Sequence, residues 1–206
     1  MPSQAPSGQI MQYSCDAYNS LPDVSAASAA FQACEGEVIA RDLMRDLFRK
    51  KNVQDTFGLT LLHRHGRPLA AGERMTAVSG TRSPAPSQVG EPSVWRVNDA
   101  DGRVIPIEFS FDAPSINWNK DDLQEFAKEF FAVLLEHQAE RHFGLCLYPG
   151  DGYPGHIDVE DGESTTGLAP EEAYNFPRTD LIEVAWFYTD DHLDRDCKYY
   201  CLNTKK

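Results

Sequence analysis

The 206-residue sequence lacks most of the short motifs by which a catalytic or binding site is found without a structure. It has no CxxC pair, no GxSxG nucleophile elbow, and no glycine-rich phosphate loop after a predicted strand. The commonest zinc-ribbon, α/β-hydrolase and nucleotide-binding signatures are therefore missing. What remains is the pattern of a folded domain, with its chemical signal concentrated in one short segment.

Long apolar runs are also missing. No stretch approaches the roughly 20 residues of a membrane span, and the first twenty residues show no basic segment followed by an apolar one. We therefore expect a cytoplasmic protein with reduced thiols. The chain has five cysteines: Cys15, Cys34, Cys146, Cys197 and Cys201. They are too scattered to predict a disulfide framework, and only the last two could share a disulfide bridge or a soft metal ion.

Basic residues are scarce. The chain has 19 Lys and Arg against 32 Asp and Glu, a net charge of −13, so neither a nucleic acid nor a membrane is an expected partner. The acidity is strongest in residues 143–206, which hold 13 acidic and 5 basic residues. This acidic third either binds a basic protein partner or simply forms a solvated surface.

Two segments show the three- and four-residue apolar spacing of amphipathic helices, residues 35–50 and a stretch from Asn119 to about Arg141. Residues 1–33 have weak periodicity and are predicted to form a flexible or loosely packed arm before a single domain over residues 34–206. At most one short helix is expected in the arm, around Ser25–Cys34.

Strands are predicted where apolar residues alternate or cluster: Phe57–His65, Arg74–Ser79, Val94–Val97, Val104–Phe111, Phe143–Tyr148, Leu181–Tyr188 and an edge strand at Lys198–Leu202. In Val104–Phe111 the alternation places Glu108 on a solvated face. Most of residues 66–92 and 149–167 are predicted to be loops, because both are rich in glycine. The order of elements predicts an α+β fold, a mostly antiparallel sheet of about five or six strands with two main helices packed on one face.

The segment Phe57–His65 is an apolar run that ends in two histidines two residues apart. Side chains at i and i+2 of a strand lie on the same face, so His63 and His65 are expected to project together toward a cleft. Such a pair suits a divalent metal or acid/base chemistry, and Glu73, His142 or His156 could supply a third group. The alternative is a polar strand end whose imidazoles bond to backbone carbonyls or an Asp.

The segment Gly58–His65, GLTLLHRH, resembles a stretch found in functionally uncharacterised fungal proteins, in which an aromatic residue usually follows the second histidine. Gly66 stands at that position here. The resemblance implies no activity.

A second candidate is the glycine-rich segment 149–167, which could act as a lid presenting His156 to a pocket. Its carboxylates, including Asp158 and Glu160, are either ligands for calcium or magnesium or part of a solvated loop. The sequence thus supports two hypotheses. One is a small-molecule-binding or enzymatic domain with catalytic His63, His65 and His156 and a possible metal on the first two; the other is a non-catalytic domain that binds a basic protein.

Overall fold

The computed structural model describes residues 11–86, 89–189 and 199–203. The strands in this part of the chain are β1 Phe57–Leu61, β2 Glu73–Val78, β3 Thr81–Pro86, β4 Glu91–Val97, β5 Val104–Ser110, β6 Phe143–Leu147, β7 His156–Glu160, β8 Thr165–Leu168, β9 Leu181–Trp186 and β10 Tyr199–Leu202. The helices are α1 Cys15–Asn19, α2 Val24–Ala33, α3 Gly36–Val38, a π-helical turn Ile39–Leu43, α4 Met44–Lys50 and α5 Asp121–Glu136, with 3₁₀ turns at Pro170–Asn175 and Arg178–Asp180.

The strands close into a barrel in the order β1-β6-β4-β5-β2-β3-β8-β7-β10-β9, and β9 pairs with β1 to complete it. Most neighbours are antiparallel, but β2 pairs with β5 and β7 with β10 in parallel. The predicted α+β fold, a mostly antiparallel sheet of about five or six strands with two main helices packed on one face, is therefore wrong. The sheet is larger, of mixed direction, and without free edges.

The prediction failed in the segments read as glycine-rich loops. Besides β2, which matches the predicted strand at Arg74–Ser79, residues 66–92 contain the whole of β3 and the start of β4, and residues 149–167 contain β7 with most of β8. β3 has the sequence TRSPAP and no fully buried residue, so it lacks the apolar alternation that marks a strand. In β7 the buried positions include Asp158, which sequence reasoning assigns to the surface.

The larger helices form the main apolar core together with residues of the barrel strands. Phe31 of α2 stacks on Trp186 of β9 with ring centroids 5.4 Å apart, and Phe48 of α4 meets Phe126 of α5 edge to face at 5.1 Å. α5 spans Asp121–Glu136, so it begins two residues after Asn119 and ends before Arg141, the bounds predicted from the sequence. None of the helices within the described residues is long and apolar enough to span a membrane.

The predicted helix over residues 35–50 is interrupted by a π-helical turn at Ile39–Leu43. A π turn displaces backbone carbonyls from regular helical pairing. Here the buried hydroxyl of Tyr188 donates to the carbonyl of Ala40 at 2.6 Å, and Arg41 pairs with Glu183 of β9 at 2.8 Å. The irregular turn is thus anchored by two polar contacts, one of them to a barrel strand.

Residues 11–33 pack closely against the barrel. The amide of Met11 donates to the carbonyl of Val104 at 2.9 Å, and α1 places Tyr18 in a fully buried position. Phe31 is 6% exposed, and its ring covers the strand face where Trp186 lies. The first ten residues of the predicted arm lie outside the described residues.

Just after helix α5 the backbone takes a left-handed conformation at a glutamine, a residue type that adopts this conformation only at a cost in free energy. Gln138 has φ 53°, and the bonds from its amide to the carbonyl of Leu135 and from Ala139 to Leu134 are those of a Schellman cap. Glycine adopts this conformation without strain, whereas a residue with a Cβ is disfavoured there.

We therefore expect Gln138→Gly to raise the free energy of unfolding by up to about 1 kcal/mol, after the entropy of the unfolded glycine is counted. The Gln138 side chain is exposed, and within the described part of the chain it makes no hydrogen bond that would be lost. Urea denaturation measures the change. Glu136→Gly, in the last helical turn, is the control and should lower stability by about 1 kcal/mol; equal losses in both variants would refute the explanation.

Candidate metal centre

His63 and His65 follow β1 where the chain still pairs with its neighbour, since the amide of Leu62 donates to the carbonyl of His142 at 2.8 Å. The structure places the two rings together, with centroids 4.4 Å apart. They are 6% and 5% exposed. The pair therefore lies inside the protein and not in an open cleft.

A third potential metal ligand comes from the other end of the chain. Cys201 in β10 is buried, and its sulfur lies 3.1 Å from Nε2 of His63. One ligand atom from each of His63, His65 and Cys201 can be chosen so that all lie within 4.8 Å of one another. In a tetrahedral zinc site with nitrogen and sulfur ligands, ligand atoms are roughly 3.5 Å apart. The cluster can hold a metal ion with small side-chain adjustments.

The orientation of His63 leaves the correct nitrogen free for this role. Its Nδ1 lies 2.8 Å from the carbonyl oxygen of Leu61, which can only accept, so Nδ1 carries the proton and Nε2 presents a lone pair to Cys201. Burial lowers the pKa of His63, against the opposing effect of the bond to Leu61, so the ring is neutral. Burial also raises the pKa of Cys201 well above its ordinary value, and Asp158 adds to this effect. Without an ion, therefore, the thiol is protonated and donates to Nε2.

His65 is held through its backbone and not through its ring. The hydroxyl of Tyr18 donates to the His65 carbonyl at 2.6 Å and accepts from its amide at 2.9 Å. Among the described residues, the ring Nδ1 is buried and has no hydrogen-bond partner, and Nε2 is 3.6 Å from an oxygen of Glu108, too far for a hydrogen bond. A buried nitrogen without a partner costs free energy, and a bound ion would satisfy it.

Beside the cluster, Arg82 of β3 lies between two buried carboxylates. Its guanidinium is 2.6 Å from Asp158 of β7 and 3.3 Å from Glu108 of β5. Burial would raise the pKa of Asp158, but the guanidinium outweighs it and holds that pKa well below its usual range. Burial raises the pKa of Glu108 to about 7 despite Arg82. Burial alone would lower the pKa of Arg82; the two carboxylates reverse this and raise it.

This arrangement corrects two expectations from the sequence. Glu108 is 5% exposed and faces the barrel interior, not the solvent. Asp158 is buried in a strand and paired with Arg82, so it belongs neither to a solvated loop nor to an exposed calcium site.

His156 is the first residue of β7 and not part of a mobile lid. Its Nδ1 is 3.0 Å from the hydroxyl of Tyr153, and its ring lies against Tyr199 with centroids 4.1 Å apart. Its Nε2 is 3.2 Å from Asp158, an ion-pair distance without hydrogen-bond alignment. His156 therefore supports Asp158 and is not one of the three clustered ligands.

The other proposed third ligands lie elsewhere. Glu73 forms a two-pronged ion pair with Arg67, and His142 lines a separate surface groove. The sequence associated Cys201 with Cys197, which lies outside the described residues. No local signal connects Cys201 with His63, because 138 positions separate them and only barrel closure brings them together.

The cluster borders a cavity of about 40 Å³ inside the barrel. Side chains from β1, β3, β4, β5, β6, β7, β9 and β10 line it. The volume accommodates an ion and a water molecule, whereas pockets for organic ligands measure roughly 300–1,000 Å³. The site is thus suited to an ion, not to an organic substrate.

Comparisons of the chain with protein-family models, with curated proteins and with solved structures found no match.

Proposed function

We propose that this protein binds one divalent transition-metal ion, of the zinc class, through His63, His65 and Cys201 inside its barrel. The observation that carries the proposal is the convergence of three buried side chains, each of which offers a ligand atom within 4.8 Å of the other two. In addition, Nδ1 of His65 has no hydrogen-bond partner among the described residues. Two imidazoles and a thiolate are the ligands that zinc and copper prefer, whereas calcium and magnesium select oxygen.

The surroundings support the same role. The carbonyl of Leu61 fixes the tautomer of His63, and Tyr18 fixes the backbone of His65. Contacts that orient ligands in this way are typical of metal sites. A cytoplasmic location, where thiols remain reduced, suits a protein with a thiolate ligand.

Three protein ligands leave a fourth position for water, and the carboxylates of Glu108 and Asp158 stand next to the cluster. We therefore also propose that the bound ion can catalyse a reaction of a molecule small enough to enter the cavity. A bound ion would also stabilise the closed barrel, because Cys201 lies in the last described strand and His63 follows the first.

Cobalt substitution tests the ligand set directly. Co²⁺ titrated into the metal-free protein should give a thiolate-to-cobalt charge-transfer absorption that saturates at one equivalent. Zinc binding near pH 7.5 should release about one proton, because the Cys201 thiol must ionise while both imidazoles are already neutral. Calorimetry in buffers of different ionisation enthalpy counts that proton.

Cys201→Ser should lose the charge-transfer band, and His137→Gln, which removes an imidazole far from the cluster, should keep it. A band of equal intensity in Cys201→Ser would assign cobalt to another thiol. No band in the wild type would end the proposal.

A further inference from the structure

A surface groove of about 550 Å³ lies apart from the cavity and shares no lining residue with it. It runs between the α1–α2 connection, the β4–β5 hairpin and the segment after α5. Its volume falls in the range of small-molecule sites. Its lining includes Leu21, Pro22, Ala26, Arg96, Arg141 and His142.

The groove combines an apolar wall with basic groups. Leu21, Pro22 and Ala26 belong to the apolar part of the lining, and two guanidinium groups, an imidazole and the carboxylate of Asp99 belong to its polar part. In a chain with a net charge of −13 this local excess of basic groups is unusual. The negative charge repels anions from most of the protein surface. The basic groups make this groove a place where an anion can bind.

Arg96 is the basic group without a carboxylate partner. Its Nη1 donates to the hydroxyl of Ser20 at 3.1 Å, its Nε is buried without a hydrogen-bond partner, and no carboxylate of the described residues lies within ion-pair distance. The nearest acid, Asp99, is 2.6 Å from Arg141 instead. A half-buried guanidinium is normally neutralised by an anion, and the described part of the chain does not supply one.

The position of Arg96 is fixed by the barrel. It lies in β4 between Trp95 and Val97, which are both in the core, and so faces the opposite side. Its strand neighbours are Ile105 and Gly144. A guanidinium attached to a paired central strand is held in place before a ligand arrives, which reduces the entropy lost on binding.

We propose that this groove binds a small organic oxyanion, with its charged group on the guanidinium of Arg96 and a short apolar body against Leu21, Pro22 and Ala26. Carboxylates and phosphates share the geometry that a guanidinium recognises in two-pronged contacts. The neutral imidazole of His142, whose pKa burial lowers, is available as a hydrogen-bond donor at the same groove.

The test is an amide chemical-shift titration of the full chain with acetate, hexanoate, inorganic phosphate and, as a salt control, chloride. Hexanoate should bind more tightly than acetate, because its alkyl chain covers the apolar wall. Phosphate binding more tightly than both carboxylates would assign the ligand to the phosphate class. Arg96→Gln should weaken binding about tenfold or more.

Arg103→Gln is the matched control, since it removes the same charge from the same hairpin at a residue paired with Asp101 and outside the groove. Ala26→Glu is a second variant that keeps the fold, because Ala26 is exposed in the first turn of α2, and its added charge should abolish binding. Equal affinities in the wild type, Arg96→Gln and Ala26→Glu, or no saturable shift with any probe, would overturn the proposal.

Discussion

Replacing Arg82 with methionine should destabilise the protein by about 3–5 kcal/mol at neutral pH, the largest effect that we expect of any single substitution near the site. The guanidinium is the cation that lies within ion-pair distance of both buried carboxylates, Asp158 and Glu108. Methionine fills a similar volume but leaves both acids buried without that partner.

The pH dependence of this loss has a definite sign. Without Arg82 both carboxyl groups have folded-state pKa values above their unfolded values, so the variant loses stability as the pH rises. The deficit relative to the wild type should therefore be larger at pH 8 than at pH 5. Chemical denaturation at the two pH values measures it.

Two controls isolate the charge effect. Arg45→Met removes a half-buried arginine with two surface ion pairs and should cost less than about 1 kcal/mol. The triple variant Arg82→Met, Glu108→Gln, Asp158→Asn replaces the whole cluster by neutral groups and should recover most of the lost stability. A loss in Arg82→Met that is small, or equal at both pH values, would show that the carboxylates are not held by this arginine.

Zinc should stabilise the folded protein strongly. At a free zinc concentration one hundredfold above the dissociation constant, the free energy of unfolding rises by about 2.7 kcal/mol. For a chain of this size, that corresponds to an increase in melting temperature of roughly 5–11 °C. The gain depends on ligands from distant positions, which the unfolded chain does not bring together.

Thermal unfolding with and without a chelator measures the gain. His65→Gln should show little zinc-dependent stabilisation, because it removes one ligand, and His137→Gln should keep the full shift. Magnesium at the same concentration should have no effect, since it prefers oxygen ligands. A zinc-dependent shift that survives in His65→Gln would place the ion elsewhere.

Part of the fold was predictable from local sequence. The apolar run of β1 and the spacing within α5 predict elements that the structure contains. The barrel was not predictable in the same way, because β3 and β7 carry interior polar residues, Arg82 and Asp158, where an apolar core would show alternation. A strand that is polar on its inner face looks like a loop when only hydrophobicity is considered.

The candidate site was predictable in one half only. The spacing of His63 and His65 in the sequence predicts that their side chains lie together, and the structure places the two rings side by side. Cys201, Arg82, Glu108 and Asp158 join them through strand pairing across the closed barrel, and their separation in the chain leaves no periodic or motif signal.

The most direct test of the central claim is the metal content of the purified protein after equilibrium dialysis against buffered zinc, determined by elemental analysis. The wild type should retain one zinc ion per chain, and the double variant His63→Gln, Cys201→Ser should retain none while remaining folded by circular dichroism. No zinc in the wild type, or one equivalent in both proteins, would contradict the assignment of His63, His65 and Cys201 as a metal centre.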